Sequence, residues 1–293
     1  MNLKPIDVVE NITPEDFKRL YYDTMTPVII KDLAKKWPAY TRWNWDYFKQ
    51  LVGDKKVGLY NNIKSDAYTP VNTADDYKTF GEYIDMIKAG PAAWRIFLFN
   101  IFEHAPALTQ DFTWPDELMK GFVKKYPMLF TGGASSITHM HFDIDLSHIL
   151  HTQFAGRKRV LLFPHAEQHK LYRKPFEVLS IADFTHYYDA ENSKLDTNTF
   201  PAVQMANGYD VIMEHGDTLF MPAGFWHHME YIDSGFAMSL RAMQPSLTGK
   251  LKGVWSLLGM RSIDTVMKKT IPKWWYNYKI EKVYEEAGKE LKK

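Results

Sequence analysis

Residues 216–228 read Gly-Asp-Thr-Leu-Phe-Met-Pro-Ala-Gly-Phe-Trp-His-His, and this stretch decides the fold. The Gly-Asp pair is typical of a turn, and the four residues after it form a short apolar strand. Pro222 and Gly224 then predict a second tight turn, because both residues favour turn conformations. His227 and His228 follow. The stretch therefore predicts two short strands joined by a turn, with histidine at the start of the second strand.

Short strands continue on both sides of this stretch. From about residue 128 the sequence consists of short apolar runs broken by turn residues, and the clearest are 128–130, 149–154, 160–163, 211–213, 218–221 and 236–240. Strands at this spacing favour an antiparallel sandwich or barrel over βαβ units. The sequence thus predicts a mainly β fold with helical decorations.

Helical patterns flank the β region. The N-terminal segment mixes helical and extended signals, and the chain becomes helical again after residue 245. The interval 165–206 is too long for a plain loop, so we expect it to contain a helix around residues 181–188. The sequence predicts one β domain over residues 1–245, with N-terminal helices and strands, and a C-terminal helical appendage over residues 246–293.

The composition limits the chemistry that the chain can use. There is no cysteine, so any metal must be held by His, Asp or Glu. A net charge of +1 gives no global attraction to nucleic acid, and we expect no such partner. The N-terminus lacks the apolar region of a secretory signal, and no apolar run has the length of a membrane span. We therefore expect a cytoplasmic protein without membrane association.

The densest group of metal-binding side chains lies in residues 138–143, Thr-His-Met-His-Phe-Asp. In a strand, residues two apart point to the same face. His141 and Asp143 can therefore converge on one ion, and so can His139 and His141. Either pair needs a third ligand from another part of the chain.

The stretch 216–228 supplies the third ligand. His227 and His228 face opposite sides of their strand, so only one of them can bind. Two histidines and one carboxylate on one face of an ion form the facial triad of non-haem Fe(II) oxygenases, whose open positions accept a cosubstrate and dioxygen. With His141 and Asp143, one of these two histidines would complete such a triad.

With these motifs the chain resembles the JmjC/cupin-like family of Fe(II)- and 2-oxoglutarate-dependent oxygenases, in particular its asparaginyl hydroxylases, which inhibit hypoxia-inducible factor. The resemblance runs from about Arg95 to Arg241 and is weaker at the N-terminus. Its most specific pieces are Thr138-x-x-His141-x-Asp143, Gly156-Arg-Lys-Arg-Val-Leu-Leu-Phe-Pro164, Leu171-Tyr172, Phe200-Pro201, Gly208-Tyr209 and the block 216–230.

The resemblance implies a double-stranded β-helix, or jelly-roll, as the catalytic domain. It also implies that His141, Asp143 and His227 hold Fe(II). His227 is the third residue after Gly224, and turns of this family use that spacing to aim a ligand inward. His228 would then face outward or support the ligands from behind.

The resemblance also implies how 2-oxoglutarate binds. Lys158 would pair with its distal carboxylate, and Thr138 would hydrogen-bond the same group. Such partners make chemical sense, because a dicarboxylate in a pocket is costly to bury with a charge unpaired. The implied reaction is hydroxylation of a protein side chain, with dioxygen as the second cosubstrate.

Three positions depart from the family pattern. Ser147 stands where relatives carry an asparagine that contacts the site, and Ser147, His148 or His151 could take over that contact. Phe97 replaces a tyrosine that helps bind the cosubstrate. Arg241 replaces an asparagine, and it could bind the cosubstrate, bind a substrate carboxylate or form a salt bridge at the rim. These departures leave the substrate open.

Two other functions fit parts of the pattern. One is a cupin dioxygenase that needs no 2-oxoglutarate and binds its metal with His139, His141 and His227. The other is a catalytically silent cupin-like binding module. Retention of the triad and Lys158 argues against the second, because a silent site has no physical need for both.

The C-terminal helices carry Trp274, Trp275, Tyr278 and Tyr284. These aromatic side chains are compatible with a homodimer interface, as in relatives, and equally with a helix packed on its own barrel.

Overall fold

The computed structural model describes residues 1–63, 73–97, 99–244, 249, 253 and 255–293. Fourteen β-strands lie in this part of the chain. Their bounds are β1 Asn2–Pro5, β2 Asp7–Val9, β3 Val28–Ile30, β4 Lys56–Tyr60, β5 Asp76–Thr79, β6 Arg95–Ile96, β7 Met128–Gly132, β8 Ile137–His141, β9 His148–Ala155, β10 Lys158–Phe163, β11 Asn207–Met213, β12 Thr218–Met221, β13 Trp226–Tyr231 and β14 Gly235–Ala242.

Strands β7 to β14 form the jelly-roll core. Four of them lie in the order β12-β9-β14-β7 and the other four in the order β11-β10-β13-β8. All neighbours within each set are antiparallel. Each sheet thus takes strands from the whole length of the core, which is the order of a double-stranded β-helix. The predicted fold class is confirmed.

The N-terminal strands widen both sheets. The pair β2-β3 joins the edge at β12, and β6-β4-β5 continue beyond β7, so that the larger sheet has nine strands. Strand β1 pairs in parallel with β11 at the edge of the smaller sheet. Strand β8 is the other edge of that smaller sheet, and the predicted metal ligands lie there.

Strand alternation separates two apolar layers. In β9, Ile149 belongs to a cluster between the two sheets, together with Val160 and Met229. Its neighbour Leu150 points the other way, into the large cluster that includes Phe236. Burying one side chain of this size stabilises the folded state by about 1.5–3 kcal/mol. The same alternation fixes which polar side chains enter the space between the sheets.

Helices pack on the outer faces of both sheets, the N-terminal ones on the larger sheet and the last one on the smaller sheet. The α-helices are α1 Pro14–Phe17, α2 Ala39–Arg42, α3 Trp45–Val52, α4 Phe80–Ala89, α5 Ile101–His104, α6 Arg261–Thr270 and α7 Pro272–Glu290. Shorter 3-10 or π-helical turns cover Lys18–Tyr22, Ala34–Lys36, Pro106–Gln110, His165–His169, Pro201–Met205 and Trp255–Met260. Helix α4 begins with a capping box, in which Thr79 and Glu82 each satisfy a backbone N–H of the other.

The C-terminal helices confirm the helical prediction for this end of the chain. Lys279 of α7 is buried and forms ion pairs with Glu177 and with Asp264 of α6. These contacts attach both helices to the segment between β10 and β11. The predicted boundary between residues 245 and 246 lies outside the described residues and stays a prediction.

The predicted helix over residues 181–188 is wrong. This segment consists of turns. Asp183 accepts hydrogen bonds from the backbone N–H and hydroxyl of Thr185, and His186 has a φ of 52°. A side chain that bonds the backbone two residues ahead competes with helix formation. Among the described helices, none is both long and apolar enough to cross a membrane.

Candidate metal centre

The turn formed by residues 222–225 directs His227 towards the space between the sheets. The N–H of Phe225 donates to the carbonyl of Pro222, and Gly224 has a φ of +75°. These are the features of a type II turn, whose third position favours glycine. The turn ends at Phe225, two residues before His227, which is the second residue of β13.

Strands β8 and β13 bring the predicted ligands together. His227 lies directly opposite His141, and their ring centroids are 4.1 Å apart. Asp143 lies two residues beyond the end of β8. One ligand atom from each of these three side chains lies within 4.8 Å of the other two. The structure thus holds the predicted triad as a compact group.

A β-bulge separates His139 from this group. The register of β8 and β13 shifts between His227 and Met229, so His228 lies opposite two residues of β8. His139 consequently faces outward although it is two residues from His141, and its ring centroid is 6.3 Å from that of His228. The bulge therefore removes His139 from the ligand set that strict alternation allowed.

Backbone carbonyls fix the orientation of both inner imidazoles. Nδ1 of His141 donates to the carbonyl of His139 at 2.8 Å, and Nδ1 of His227 donates to the carbonyl of Phe225 at 3.2 Å. The proton on Nδ1 leaves Nε2 as an electron-pair donor. Burial lowers the pKa of His141 to about 3 and also lowers the pKa of His227. Both rings are therefore neutral at physiological pH, as metal ligation requires.

An arginine holds the carboxylate of the triad. Arg241 donates to Oδ1 of Asp143 at 3.0 Å and to both oxygens of Asp145 at 3.0 and 3.2 Å. Ser147 also donates to Asp145, at 2.9 Å. Burial alone would raise the pKa of Asp143, but Arg241 and the two triad histidines outweigh it and lower that pKa. Asp143 therefore stays ionised, with Oδ2 left for a metal.

Lys158 lies between the sheets, and no carboxylate of the described residues pairs with it. Its side chain is fully buried, and its Nζ contacts Nε2 of His151 at 3.1 Å and the ring of Tyr231 at 4.3 Å. His151 in turn hydrogen-bonds Ser239 through Nδ1 at 2.7 Å. Burial lowers the pKa of Lys158 to about 7. Burial without an opposite charge destabilises the ammonium form of Lys158, so an anion that pairs with it would be bound favourably.

The remaining predicted residues separate into two groups. Thr138 pairs with Met229 on the inward side of β8, where it can serve the predicted cosubstrate contact. His148 packs on Phe220 and accepts from the N–H of Ala223, on the outer side of its sheet. Of the three candidates for the missing asparagine, His151 is the one beside Lys158.

Arg241 and Ser147 belong to the carboxylate cluster rather than to the Lys158 end of the cavity. The guanidinium of Arg241 is already bonded to Asp143 and Asp145. Binding of cosubstrate by these two residues stays a prediction. Sequence reasoning missed Asp145 and Tyr231, although each repeats the strand period from a predicted ligand: Asp145 follows Asp143 by two residues, and Tyr231 follows His227 by four.

The residues present fit Fe(II) and 2-oxoglutarate. Two neutral imidazoles and one carboxylate on one side of a point are the donor set that suits non-haem Fe(II). The hydrogen bonds behind each ligand are the kind that orient metal ligands. Lys158 supplies the charge that the distal carboxylate of 2-oxoglutarate needs. Fold and site together define a cupin-type protein with a facial-triad metal centre.

Comparisons with known proteins agree with this class. The cupin-like domain family matches residues 14–242. The chain is 26% identical over 230 residues to lysine-specific demethylase 8 of Xenopus tropicalis, covering 77% of this chain and 50% of that protein. It is 28% identical over 237 residues to Jumonji C domain-containing protein 5 of Drosophila melanogaster, covering 77% and 56%. It is 24% identical over 251 residues to HSPB1-associated protein 1 of Homo sapiens, covering 77% and 49%.

The chain therefore belongs to the cupin-like family of JmjC-type, Fe(II)- and 2-oxoglutarate-dependent oxygenases. It spans about half the length of the curated relatives that it matches.

Proposed function

We propose that this protein is an Fe(II)- and 2-oxoglutarate-dependent dioxygenase that hydroxylates a side chain of another protein. The observation that carries the proposal is the pairing of two features in one cavity. A compact triad of His141, Asp143 and His227 lies at one position. The fully buried Lys158, which has no carboxylate partner in the part of the chain that the structure describes, lies at another. A metal alone would require only the first.

When bound, Fe(II) and 2-oxoglutarate supply the oxidising chemistry, in which one oxygen atom of dioxygen enters the substrate and 2-oxoglutarate becomes succinate and CO2. The protein supplies position and charge. His141 and His227 present Nε2, because their Nδ1 atoms are held by carbonyls. Arg241 keeps the Asp143 carboxylate ionised and oriented.

Lys158 and Thr138 would hold the distal carboxylate of 2-oxoglutarate. The Lys158 ammonium already lacks water, so it pairs with an anion at little further desolvation cost. His151 fixes the position of Nζ through its Nε2. The apolar layer of Val160, Leu162 and Met229 beside this end of the cavity limits the access of water.

The test is spectroscopic. Anaerobic Fe(II) protein receives 2-oxoglutarate, and the metal-to-ligand charge-transfer band in the visible region is followed in wild type, His141→Ala and Lys158→Ala. We expect a band in wild type, no band in His141→Ala and a much weaker 2-oxoglutarate affinity in Lys158→Ala. Lys269→Ala, at an exposed position of α6, is the matched lysine control and should behave as wild type.

His139→Ala separates the proposal from the three-histidine function. It should keep iron and the band, because the bulge turns His139 away from the ligand group. Iron binding without a band in wild type would instead favour a dioxygenase that needs no 2-oxoglutarate. If no iron binds to wild type, the protein is a binding module and the enzyme proposal fails.

The names of the relatives favour a second candidate, demethylation of N-methyl-lysine in a protein. This reaction also begins with hydroxylation of a C–H bond, here on the N-methyl group, and formaldehyde is then released. Incubation with methyl-lysine peptides and measurement of formaldehyde against succinate separates the candidates. Succinate formed with a protein substrate and without formaldehyde supports hydroxylation of a side chain.

We also propose a homodimer through the C-terminal helices. Trp274 is 56% exposed on α7, and Leu258 and Val266 nearby are also exposed. Light scattering on wild type and Trp274→Glu tests this proposal, because a charged side chain in an apolar interface should dissociate the dimer. A monomeric wild type would contradict it. The cytoplasmic location stays a prediction.

A further inference from the structure

Arg95 of β6 has no role in the metal and 2-oxoglutarate binding proposed for this protein. Its backbone lies opposite Gly132 of β7 and Tyr60 of β4 in the sheet. Its neighbour Ile96 points into the core outside the larger sheet. Alternation therefore directs Arg95 to the inner side, towards the space between the sheets. Its charge is close enough to contribute to the lowered pKa of His141.

The guanidinium of Arg95 has few partners for a group with five N–H donors. One nitrogen donates to the carbonyl of Asn61 at 2.7 Å. Among the described residues, no carboxylate lies within ion-pair distance of it. The exposed Asp75 favours the charged form of Arg95 through its negative charge. Its carboxylate accepts a hydrogen bond from the N–H of Asn61. Burial lowers the pKa of Arg95.

Aromatic rings bound the space around Arg95. The Tyr231 ring packs against Gly132, where a Cβ atom would approach it to 2.6 Å. Nζ of Lys158 lies over the same ring, 4.3 Å from its centroid. Phe97 packs edge-on against Tyr60, with ring centroids 5.6 Å apart. Tyr231 is thus adjacent to both Lys158 and Arg95.

The described charges of the cavity are unbalanced towards the positive. Lys158, Arg95 and Arg241 are cationic. The acids that face them from inside are Asp143 and Asp145, both held by Arg241, whereas Asp75, which also acts on Arg95, is exposed to solvent. Fe(II) and the 2-oxoglutarate dianion cancel each other when both bind. Of the three cations, Lys158 would then be paired with 2-oxoglutarate, and one positive charge, that of Arg95, remains.

We infer that Arg95 binds a carboxylate of the substrate, so that the residue presented to the metal is acidic. This inference rests on the proposed function and names its substrate class. Arginine suits the role because its planar fork matches the two oxygens of a carboxylate. The same charge opposes a cationic side chain, because a second positive group near a buried cation is repelled. The cavity thus favours an aspartate or glutamate side chain over a methylated lysine.

The experiment uses full-length protein loaded with Mn(II), a redox-silent substitute for Fe(II), and saturated with 2-oxoglutarate. The probes are N-acetyl-aspartate α-amide and the amide of N-acetyl-2,4-diaminobutyrate, which have the same backbone and nearly the same side-chain length but opposite charge. Paramagnetic broadening of their β-methylene NMR signals reports binding near the metal.

We expect the acidic probe to be broadened in wild type and the basic probe to be unaffected. Arg95→Met should weaken binding of the acidic probe about tenfold or more, because it removes a charge-assisted bidentate contact. Arg95→Lys should retain part of the affinity. Arg261→Met, at an exposed position of α6, is the matched control and should bind as wild type.

Arg95→Gln guards against a folding effect, because it keeps a donor for the Asn61 carbonyl and loses only the charge. Unchanged binding of the acidic probe in both Arg95→Met and Arg95→Gln would overturn the inference, as would preferential binding of the basic probe in wild type.

The 2-oxoglutarate band provides the remaining control. It should keep its wild-type affinity in Arg95→Met. A band weakened as much as in Lys158→Met would make Arg95 a cosubstrate residue and overturn the inference. Failure of the proposed function looks different, because the band would then be absent from wild type before any probe is added.

Discussion

Two pairs of histidines lie on opposite faces of the same two strands, and they differ in almost everything except their sequence neighbourhood. On the inner face, His141 and His227 have Nδ1 bonded to carbonyls and Nε2 directed towards Asp143. On the outer face, His228 is bonded through Nε2 to the buried carboxylate of Glu230, and His139 lies near Asp183. The nitrogen that a neighbour occupies, rather than the presence of histidine, decides which pair can bind a metal.

The largest expected effect comes from removing one histidine from each face and comparing the metal affinities of the two variants. His227→Ala should weaken Co(II) or Fe(II) binding by more than about a hundredfold, because one ligand carries roughly a quarter of the ~10–16 kcal/mol seen for four-ligand sites. His228→Ala should change metal affinity by less than about tenfold, as expected for a residue behind the ligands. Anaerobic calorimetry measures both.

His228→Ala should instead reduce stability, because it leaves Glu230 buried with one partner fewer. A shift in melting temperature with normal metal binding would support the division into two faces. Equal loss of metal in both variants would break it.

The next effect concerns the anion that the inner face attracts. Lys158→Met should weaken 2-oxoglutarate binding by roughly thirtyfold or more, since truncating one partner of a buried charged pair costs about 2–5 kcal/mol. Titration of the visible band measures the change, and Lys269→Met is the control. An unchanged affinity would remove Lys158 from the cosubstrate site.

The same lysine predicts a pH dependence for the protein without ligands. Burial lowers the pKa of Lys158 in the folded state to about 7, below the ordinary lysine value of 10.5. The unfolded state therefore binds more protons between these values, and stability should rise with pH across that window. Below pH 7 both states are protonated, and the cost of the buried charge is fully present. Lys158→Met should flatten this rise in chemical denaturation experiments.

A smaller effect on metal affinity is expected at Arg241, which hydrogen-bonds the ligand Asp143. Arg241→Met should weaken metal binding about tenfold, because Asp143 loses the donor that orients it and gains freedom to rotate. Arg241→Lys should recover part of the loss. Tighter metal binding in Arg241→Met would indicate that repulsion between the guanidinium and the ion outweighs orientation.

The smallest expected effect is a change in 2-oxoglutarate affinity on adding a single hydroxyl group. Phe97→Tyr adds a hydroxyl on the inner side, where the family carries a tyrosine. A net hydrogen bond contributes about 0.5–1.5 kcal/mol, so 2-oxoglutarate should bind about two- to tenfold more tightly. Titration of the band in both forms measures this gain. No gain would indicate that the ring of Phe97 lies away from the cosubstrate.

Short-range patterns predicted the antiparallel strands and the candidate ligands, and the resemblance to the family selected the jelly-roll and the triad among them. Strand period, turn residues at Pro222 and Gly224 and the spacing to His227 are all visible within a few positions. The bulge between β8 and β13 was not predictable in this way. It depends on the register between residues about ninety positions apart, and one extra residue there reverses the face on which His139 lies.

The choice among the roles predicted for Arg241, a salt bridge being one of them, stayed open for a related reason. The prediction considered its charge and its position but not its partner, Asp145, which belongs to another strand end. Similarly, the predicted helix at residues 181–188 ignored the competition from the Asp183 side chain. Pairings between distant segments therefore account for most of what the sequence left open.

The last helix has a consequence for how the protein can be dissected. Helix α7 lies beyond the segment that matches the family, yet Val283 and Ala287 belong to the apolar cluster outside the smaller sheet. Tyr284 covers Tyr172, with ring centroids 5.7 Å apart. The segment that matches the family is thus shorter than the packed structure, and a chimera that exchanges residues 14–242 with a relative loses these contacts unless α7 is exchanged with them.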